Sequence, residues 1–426
     1  MKEAKYPIVD HLFRHQYGKM MAALTRIFGS SNLEIIEDAV QDTFIKAMIA
    51  WREGIPENPE RWLMTAAKNR AIDIFRKLKA DEKRVLKISS GAIAIKLEEL
   101  FLESEIEDAQ LRMIFMACHP ALNAQDQLAF ALKTISGFSA KEIASALLVK
   151  EETVKKRLVR ARKSIADLNI AFEIPQRADL PIRLNRVLEV LYLIFNEGFH
   201  SGRKEILVRK ELCSEAMRLC QMLLQNQFTK MPNAYALMGL MCFHAARLET
   251  KVNDQNEIVD LKNQDRSKWF KPLIILGNEF MNKAVENGKY STFHYEAAIA
   301  SEHLKAKTFH ETDWKQIHNF YEQLYGLQPS AFNLLNIAFV KMQLGELEQA
   351  FEILMNMHPK NLEQRAYLFH GTIAEYHLLK NEKEKAIASL NEALKLVKNE
   401  AERIYLERKQ AAIKNLGQTH QMYFRK

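Results

Sequence analysis

Apolar residues recur at three- and four-residue spacing along most of the chain, the period of a helix buried on one side. Between residues 33 and 51 the stripe is Ile36, Val40, Phe44, Ala47 and Trp51, which predicts a helix with Glu34, Glu37, Asp38, Gln41 and Asp42 facing solvent. Asn58-Pro59 supplies an N-cap followed by proline at the first helical position. A second helix is therefore expected from about Pro59 to Lys79, with Leu63, Ala67, Ala71 and Ile74 inward and Arg61, Thr65, Lys68, Asn69 and Arg76 on the other side. Further along, Ser139 and Glu142 have the spacing of a capping box. A short helix carrying Ile143, Ala144 and Leu147 follows, then a turn at Leu148 to Lys150, then a helix with Val154, Leu158, Ala161 and Ile165 on one face. This is helix-turn-helix spacing. At 100° per residue the opposite face of the last helix holds Glu152, Thr153, Lys156, Arg160 and Lys163, flanked by Lys155, Arg157 and Arg162.

The breaks in this pattern divide the chain. Ser89 to Ala94 is rich in small residues, and Glu98, Glu99, Glu103, Glu105, Glu107 and Asp108 follow with no basic residue between Leu97 and Arg112, so residues 89–107 read as an acidic linker. Pro175 and Pro181 mark a second boundary, because proline interrupts a helix and restricts the residue before it. Three parts result: 1–88, 108–170 and 180–426. In the last part Ala338, Ala350 and Leu354 recur as Ala374, Ala386 and Leu390, each 36 residues later. That offset is close to the tetratricopeptide (TPR) period of about 34 and predicts a stack of helical hairpins. Fourteen glycines and ten prolines are few for 426 residues that are 48% hydrophobic. The fold class is all-α, with enough apolar residues for two or three cores.

Charge changes the picture from fold to partner. The formal net charge is +8, and it is concentrated: Arg61 to Lys87 has nine basic against three acidic residues, and Lys141 to Lys163 eight against three. Two basic patches in an otherwise slightly acidic chain are the footprint expected of a nucleic-acid-binding protein. In the second patch, short polar residues near the helix start suit base edges and cations further along suit phosphates. In the first, Arg, Thr and Asn beside Trp62 and Phe75 suit phosphate contact and stacking of unpaired bases. The acidic helix repels DNA, so its exposed face is expected to meet a protein.

Enzymatic chemistry has no support in the motifs. There is no HExxH, Walker loop or GxSxG. Cys118-His119-Pro120 lacks a third ligand in register and reads as packing, and the four cysteines form no CxxC pair, so neither a metal nor a cofactor is expected. Asn196-Glu197-Gly198 reads as a helix end closed by Gly198. Without a signal peptide or a membrane-length apolar run, the expected location is the cytoplasm, away from any membrane.

Taken in order, Glu37-Asp38-Ala39-Val40-Gln41-Asp42-Thr43-Phe44, Asn58-Pro59, Trp62-Leu63, Lys68-Asn69-Arg70-Ala71-Ile72-Asp73 and the helix-turn-helix resemble regions 2 and 4 of a bacterial sigma-70-type sigma factor of the extracytoplasmic-function group. Tyr192 to Gly198, Gln264-Asp265-Arg266, Thr312-Asp313-Trp314 and Asn399 to Arg403 resemble the subgroup with a long TPR-like C-terminal extension, in which Phe199 is more often Tyr. The segment between the DNA modules lacks the large domain of housekeeping sigma factors. The resemblance implies region 2 over 1–88, region 4 over 108–170 and the extension over 180–426. It also implies two partners, core RNA polymerase (β′ clamp and β subunit) and promoter DNA. Asp38, Gln41 and Asp42 would meet the clamp. Arg61, Lys68, Asn69 and Arg76 would act at the minus-ten element, and Glu152, Thr153, Lys156, Arg157 and Arg160 at the minus-thirty-five element. The function expected is promoter-specific transcription initiation by a non-catalytic subunit, with the extension modulating activity or taking a protein or peptide partner. The competing reading is a helix-turn-helix regulator that acts without core polymerase and uses a TPR scaffold. The acidic helix separates the two, since a free-standing regulator has no need of it.

Overall fold

The apolar stripes of the N-terminal part close on one another as three helices, α1 (Lys5–Phe28), α2 (Leu33–Ala50) and α3 (Pro59–Asp81). The structure, a computed structural model, describes residues 5–423 apart from 53, 82–102, 148, 177, 200–207, 256 and 287. The three helices pack pairwise, and Ile36, Val40, Ala47 and Trp51 of the α2 stripe meet Leu63, Ala67 and Ala71 of α3 as buried residues. Each large aliphatic side chain removed from water there contributes roughly 1.5–3 kcal/mol. Asn58 caps α3 by accepting the Arg61 N–H at 3.0 Å.

The second module is α4 (Glu103–Ala117), α5 (Ala124–Thr134), α6 (Ala140–Ala146) and α7 (Glu151–Asp167). Its capping box is formed on both sides: Glu142 N–H donates to Ser139 Oγ at 3.2 Å, and Ser139 N–H donates to Glu142 Oε2 at 2.9 Å. Val154, Leu158, Ala161 and Ile165 of α7 are all buried. α4 reaches back to Glu103, so the C-terminal end of the expected linker, 103–107, is helical. Ile106 is buried, and acidic residues in a first turn suit the helix dipole. Most of the linker, with its small-residue stretch, lies outside the described residues.

The two modules are packed together. α1 lies on α4, Ser30 Oγ donates to the Ile170 carbonyl at 3.2 Å, and Gly18 of α1 meets the end of α5 so closely that a Cβ there would sit 2.1 Å from the Ile135 carbonyl oxygen.

The chain forms two compact units, Met1–Glu197 with Ser214–Lys230, and Gly198–Cys213 with Met231–Lys426. The division therefore falls beyond the proline pair at 175 and 181. Within the first unit, Arg183 of α8 (Leu180–Phe199) donates to the Phe115 carbonyl of α4 at 2.6 Å. Met222 and Gln225 of α9 (Lys210–Gln225) line a crevice with Asp108 and Leu111.

The second unit contains α10 (Pro232–Ala245), α11 (Lys271–Ala284), α12 (Thr292–Lys305), α13 (Trp314–Leu327), α14 (Ala331–Gln343), α15 (Leu347–Met355), α16 (Tyr367–Leu379), α17 (Lys383–Leu396) and α18 (Glu400–Tyr423). Sequence-adjacent helices pack as hairpins. All six residues of the 36-residue echo are buried, and the echo extends into the turns. Gly345 (φ 81°) and Asn381 (φ 60°) close α14 and α16 in the left-handed conformation. The following N–H of Glu346 or Glu382 bonds back to the carbonyl of Lys341 or His377 at 2.9 or 2.8 Å, a Schellman closure. Even the side-chain pairs repeat, Lys341 with Glu346 at 2.9 Å and His377 with Glu382 at 2.7 Å. Gly198, expected to end a helix, lies within α8; a Cβ there would come within 2.8 Å of the Arg209 carbonyl and Cys213 N, so the small residue serves a close backbone approach. Phe199 beside it is buried under Lys251, whose Nζ is 3.5 Å from the ring centroid. Among the described residues there is no β-sheet, only the isolated bridge Val252–Ile258, and no helix is long and apolar enough to cross a membrane.

The Gly18 contact yields a direct test. Gly18→Ala should lower unfolding free energy by about 1–3 kcal/mol through overpacking, read as an earlier urea midpoint; an unchanged midpoint would mean that α1 and the end of α5 do not approach as described.

Candidate nucleic-acid interface

Three surfaces carry the residues singled out in the sequence. On α2, Asp38 and Gln41 are exposed and Asp42 is partly so, because Arg70 of α3 reaches across to it at 2.6 Å. The Asp38 carboxyl is raised above its ordinary pKa, first by burial and then by the charges of Glu37, Glu34 and Asp42. That is a surface short of positive charge. The same row of α2 continues as Ile45, Met48 and Ile49, which are 51%, 54% and 59% exposed. The inward stripe of α2 gives no sign of this outward one, although its i, i+3, i+4 spacing is present in the sequence. Three exposed apolar residues thus continue a row of acids on one side of the helix.

Glu37 does not share that exposure. It is buried at 6%, where its Oε1 accepts Lys133 Nζ of α5 at 3.0 Å and its Oε2 pairs with Arg162 of α7. Gln41 Nε2 donates to it at 3.2 Å, and Lys133 also stands over the Tyr17 ring at 5.2 Å. Its expected place on the solvent face is thus corrected: at 100° per residue it lies between the inward stripe and the exposed row, and the second module covers that flank.

On α3, Asn58, Arg61, Trp62, Thr65 and Asn69 surround an open cavity of about 420 Å³. Arg61, Thr65, Asn69 and Arg76 are exposed and Lys68 is half-buried; the side chain of Phe75 lies outside the described residues. Trp62 is held edge-on to the buried Trp51, ring centroids 5.4 Å apart, so the wall of the cavity is braced from the core.

On α7 the outward face holds Glu152, Lys156, Arg160 and Lys163, with Thr153 half-buried at the start of the helix. Glu152 and Lys156 form an exposed pair at 2.9 Å, which contributes little in water. Arg160 is fixed by the buried Asp126 carboxylate at 2.8 Å while its side chain stays 61% exposed. Arg157 is different from the other flanking cations: it is 8% exposed and donates to Gln125, bracing α7 on α5 instead of reaching outward. Cys118 is buried and its thiol is pushed up to about 12 by burial, consistent with packing. Among the described residues no group of three or more His, Cys, Asp or Glu could hold a metal ion.

The helix-turn-helix with its capped first helix falls within residues 112–165, which match sigma-70 region 4, and α1 to α3 fall within 12–80, which match sigma-70 region 2. The chain belongs to the sigma-70 family, in its extracytoplasmic-function group. Residues 183–285 match a family of unknown function, DUF6596. The sigma factor is 29% identical over 154 residues to the ferric citrate uptake sigma factor FecI of Escherichia coli (strain K12), covering 36% of this chain and 85% of that protein. It is 27% identical over 165 residues to the ECF RNA polymerase sigma factor SigE of Mycolicibacterium smegmatis, covering 39% of this chain and 63% of that one. Over 333 residues, 75% of each chain, it is 34% identical to an uncharacterized protein of Rhizobium meliloti (strain 1021). No solved structure matches it.

In this sigma factor, one buried carboxylate of region 2 thus pairs with two cations of region 4. Glu37→Gln leaves Lys133 and Arg162 without their anion and should cost about 3–5 kcal/mol. A double-mutant cycle with Arg162→Met should give a coupling energy well above about 0.5 kcal/mol; additive effects would show that the pair does not join the regions in solution.

Proposed function

We propose that this sigma factor uses the exposed row of α2 to bind the β′ clamp of core RNA polymerase, the α3 surface to act at the minus-ten element, and α7 to read the minus-thirty-five element, with region 4 lying along the β subunit. It works as a non-catalytic subunit in the cytoplasm. The observation that carries this reading is the α2 row, Asp38, Gln41, Asp42, Ile45 and Met48, which turns from acidic to apolar within one helix face. Such a face suits a basic protein helix with an apolar seam and does not suit DNA. It also weighs against a free-standing helix-turn-helix regulator. The α3 cavity has the size and the aromatic wall to receive an unstacked base, with Arg61 and Arg76 for the backbone.

Transcription in vitro with purified core polymerase tests the class: promoter-dependent RNA is expected only when this chain is added. Asp38→Arg and Ile45→Asp should each weaken core binding at least about tenfold, roughly 1.4 kcal/mol, in a competition assay; undiminished binding by both would remove the α2 row from the interface. Neither residue shares the Arg70 pair, so both variants keep the α2–α3 link.

On α7 two kinds of contact should separate. Thr153 and Lys156 substitutions should change promoter preference, whereas Arg160→Ala should weaken all promoters alike and reduce the salt dependence of binding by about one unit of slope. A selection experiment returning the same preferred sequence for the Thr153 and Lys156 variants would refute their placement at base edges. Arg157→Ala should act through stability instead, because its guanidinium faces Gln125.

The second unit, on this reading, supports activity or recruits a protein or peptide partner, since repeated helical hairpins offer an extended surface for one. Ending the chain after Lys230 retains both segments of the first unit, and promoter-driven output should fall. Output above the full-length level would show that the extension restrains region 2 and region 4.

A further inference from the structure

In the second unit a cavity of about 380 Å³ runs along α12 from Glu296 to His303, closed by residues of α13 and α14 and by Arg247 after α10. Glu296 and His303 are seven residues apart, so the cavity is about two helical turns or roughly 10 Å long. Its volume is in the range of sites that take small metabolites.

The charge at its two ends is unequal. At the His303 end, Arg247 pairs with no carboxylate among the described residues: its guanidinium contacts His244 Nδ1 at 3.1 Å and lies 5.3 Å from the Phe199 ring centroid. Burial, and after it the charge of Arg266, lowers the Arg247 pKa to about 10, which still leaves it a cation at neutral pH. Arg266 itself is committed to the carbonyls of His303 and Ala306 that end α12, with its Nη2 buried and without a partner. His303 Nδ1 is likewise buried and unpaired. Burial, then Arg247 and Arg266, holds the His303 pKa down to about 3, so the ring is neutral. Lys251, close by, is driven to about 6, first by burial and then by Arg247. Two guanidinium groups thus stand near one another in a partly dehydrated place, and burial together with their charge holds the neighbouring His303 and Lys251 below their ordinary pKa values. A buried cation without a counter-anion is costly, and an anion brought to it gains a charge-assisted hydrogen bond.

The walls supply the rest of a binding site. Leu261, Ile299 and Leu324 supply apolar lining, and Tyr321, Asn336 and Glu296 supply polar lining. We propose that this cavity binds a small organic acid, its carboxylate or phosphate group held by Arg247 at the His303 end and its body lying along α12 against the apolar wall. The Gln264-Asp265-Arg266 motif then has a definite part: Arg266 ties the end of α12 in place and adds its charge to the same end of the cavity.

The inference does not depend on the sigma-factor function, because binding is read on the full-length chain without polymerase or DNA. Isothermal titration would compare 4-phenylbutyrate and phenyl phosphate with the neutral 4-phenylbutanamide and with inorganic phosphate. At least one of the two organic acids should bind at least about tenfold more tightly than the amide and than inorganic phosphate. Binding of phenyl phosphate alone would assign a phosphate monoester, and binding of 4-phenylbutyrate alone a carboxylate. Arg247→Gln should abolish the preference for the acid, and Ala300→Phe, which fills the cavity without touching a charge, should abolish binding while leaving the thermal midpoint near that of the parent. The proposal fails if the amide binds as well as the acids, if inorganic phosphate binds as well as phenyl phosphate, if neither acid binds below about 10 mM, or if both variants bind as the parent does.

Discussion

The buried carboxylate of Glu37 is the constraint on which the arrangement of the first unit depends. It lies in α2, in region 2, but its two cationic partners, Lys133 and Arg162, come from region 4. Burying an ionised carboxylate is unfavourable unless its partners are positioned well, so the pair adds more to the choice of one arrangement than to net stability. Around it the contacts are close: Gly18 against the Ile135 carbonyl, Gly137 in the left-handed conformation beside Tyr17, and Ser30 on Ile170. Regions 2 and 4 therefore pack with each other through specific side chains as well as through the contact of α1 with α4.

That packing decides which side chains of α2 and α7 face outward. Glu37 and Asp38 are adjacent in sequence, and a helix turns 100° between them, so one points into region 4 and the other outward. The proposed polymerase row is thus presented by the same helix turn that holds the two regions together. On α7 the same economy applies: Arg162 binds Glu37, Arg157 and Arg160 are held by Gln125 and Asp126, and Lys156 and Lys163 remain outward. Of the six basic residues on this helix, Arg157 and Arg162 serve packing, and Arg160 is anchored by Asp126 while staying exposed, so the outward charge is smaller than that of the segment.

The second unit is built on a different logic. Its hairpins repeat at a local level, with equivalent buried alanines, equivalent left-handed closures at Gly345 and Asn381, and equivalent side-chain pairs to glutamate across the turns. Such units are stabilised by neighbours in sequence, which permits departures where the chain needs them. The departures gather between α10 and α12, where the long loop after Arg247 brings Arg266 onto the end of α12 and leaves a cavity beside it.

The amino-acid sequence by itself determined the helices, their inward faces and their caps. Asn58 at the start of α3, the Ser139–Glu142 box and the buried stripe of α7 all follow from interactions between residues three or four apart, which are local and therefore readable. It also determined the family, because ordered motifs survive wherever a surface must meet the same kind of partner. What tertiary structure alone decided is how charges were divided between inside and outside. Glu37, Arg157, Arg162 and Arg247 look like their exposed neighbours in sequence, and each is buried or committed by residues tens of positions away. The two-unit division beyond Pro181 and the close approach at Gly198 belong to the same class. Periodicity reports which side of a helix is apolar; it cannot report which polar flank another module will cover, because that depends on contacts between segments that the period of a single helix does not contain.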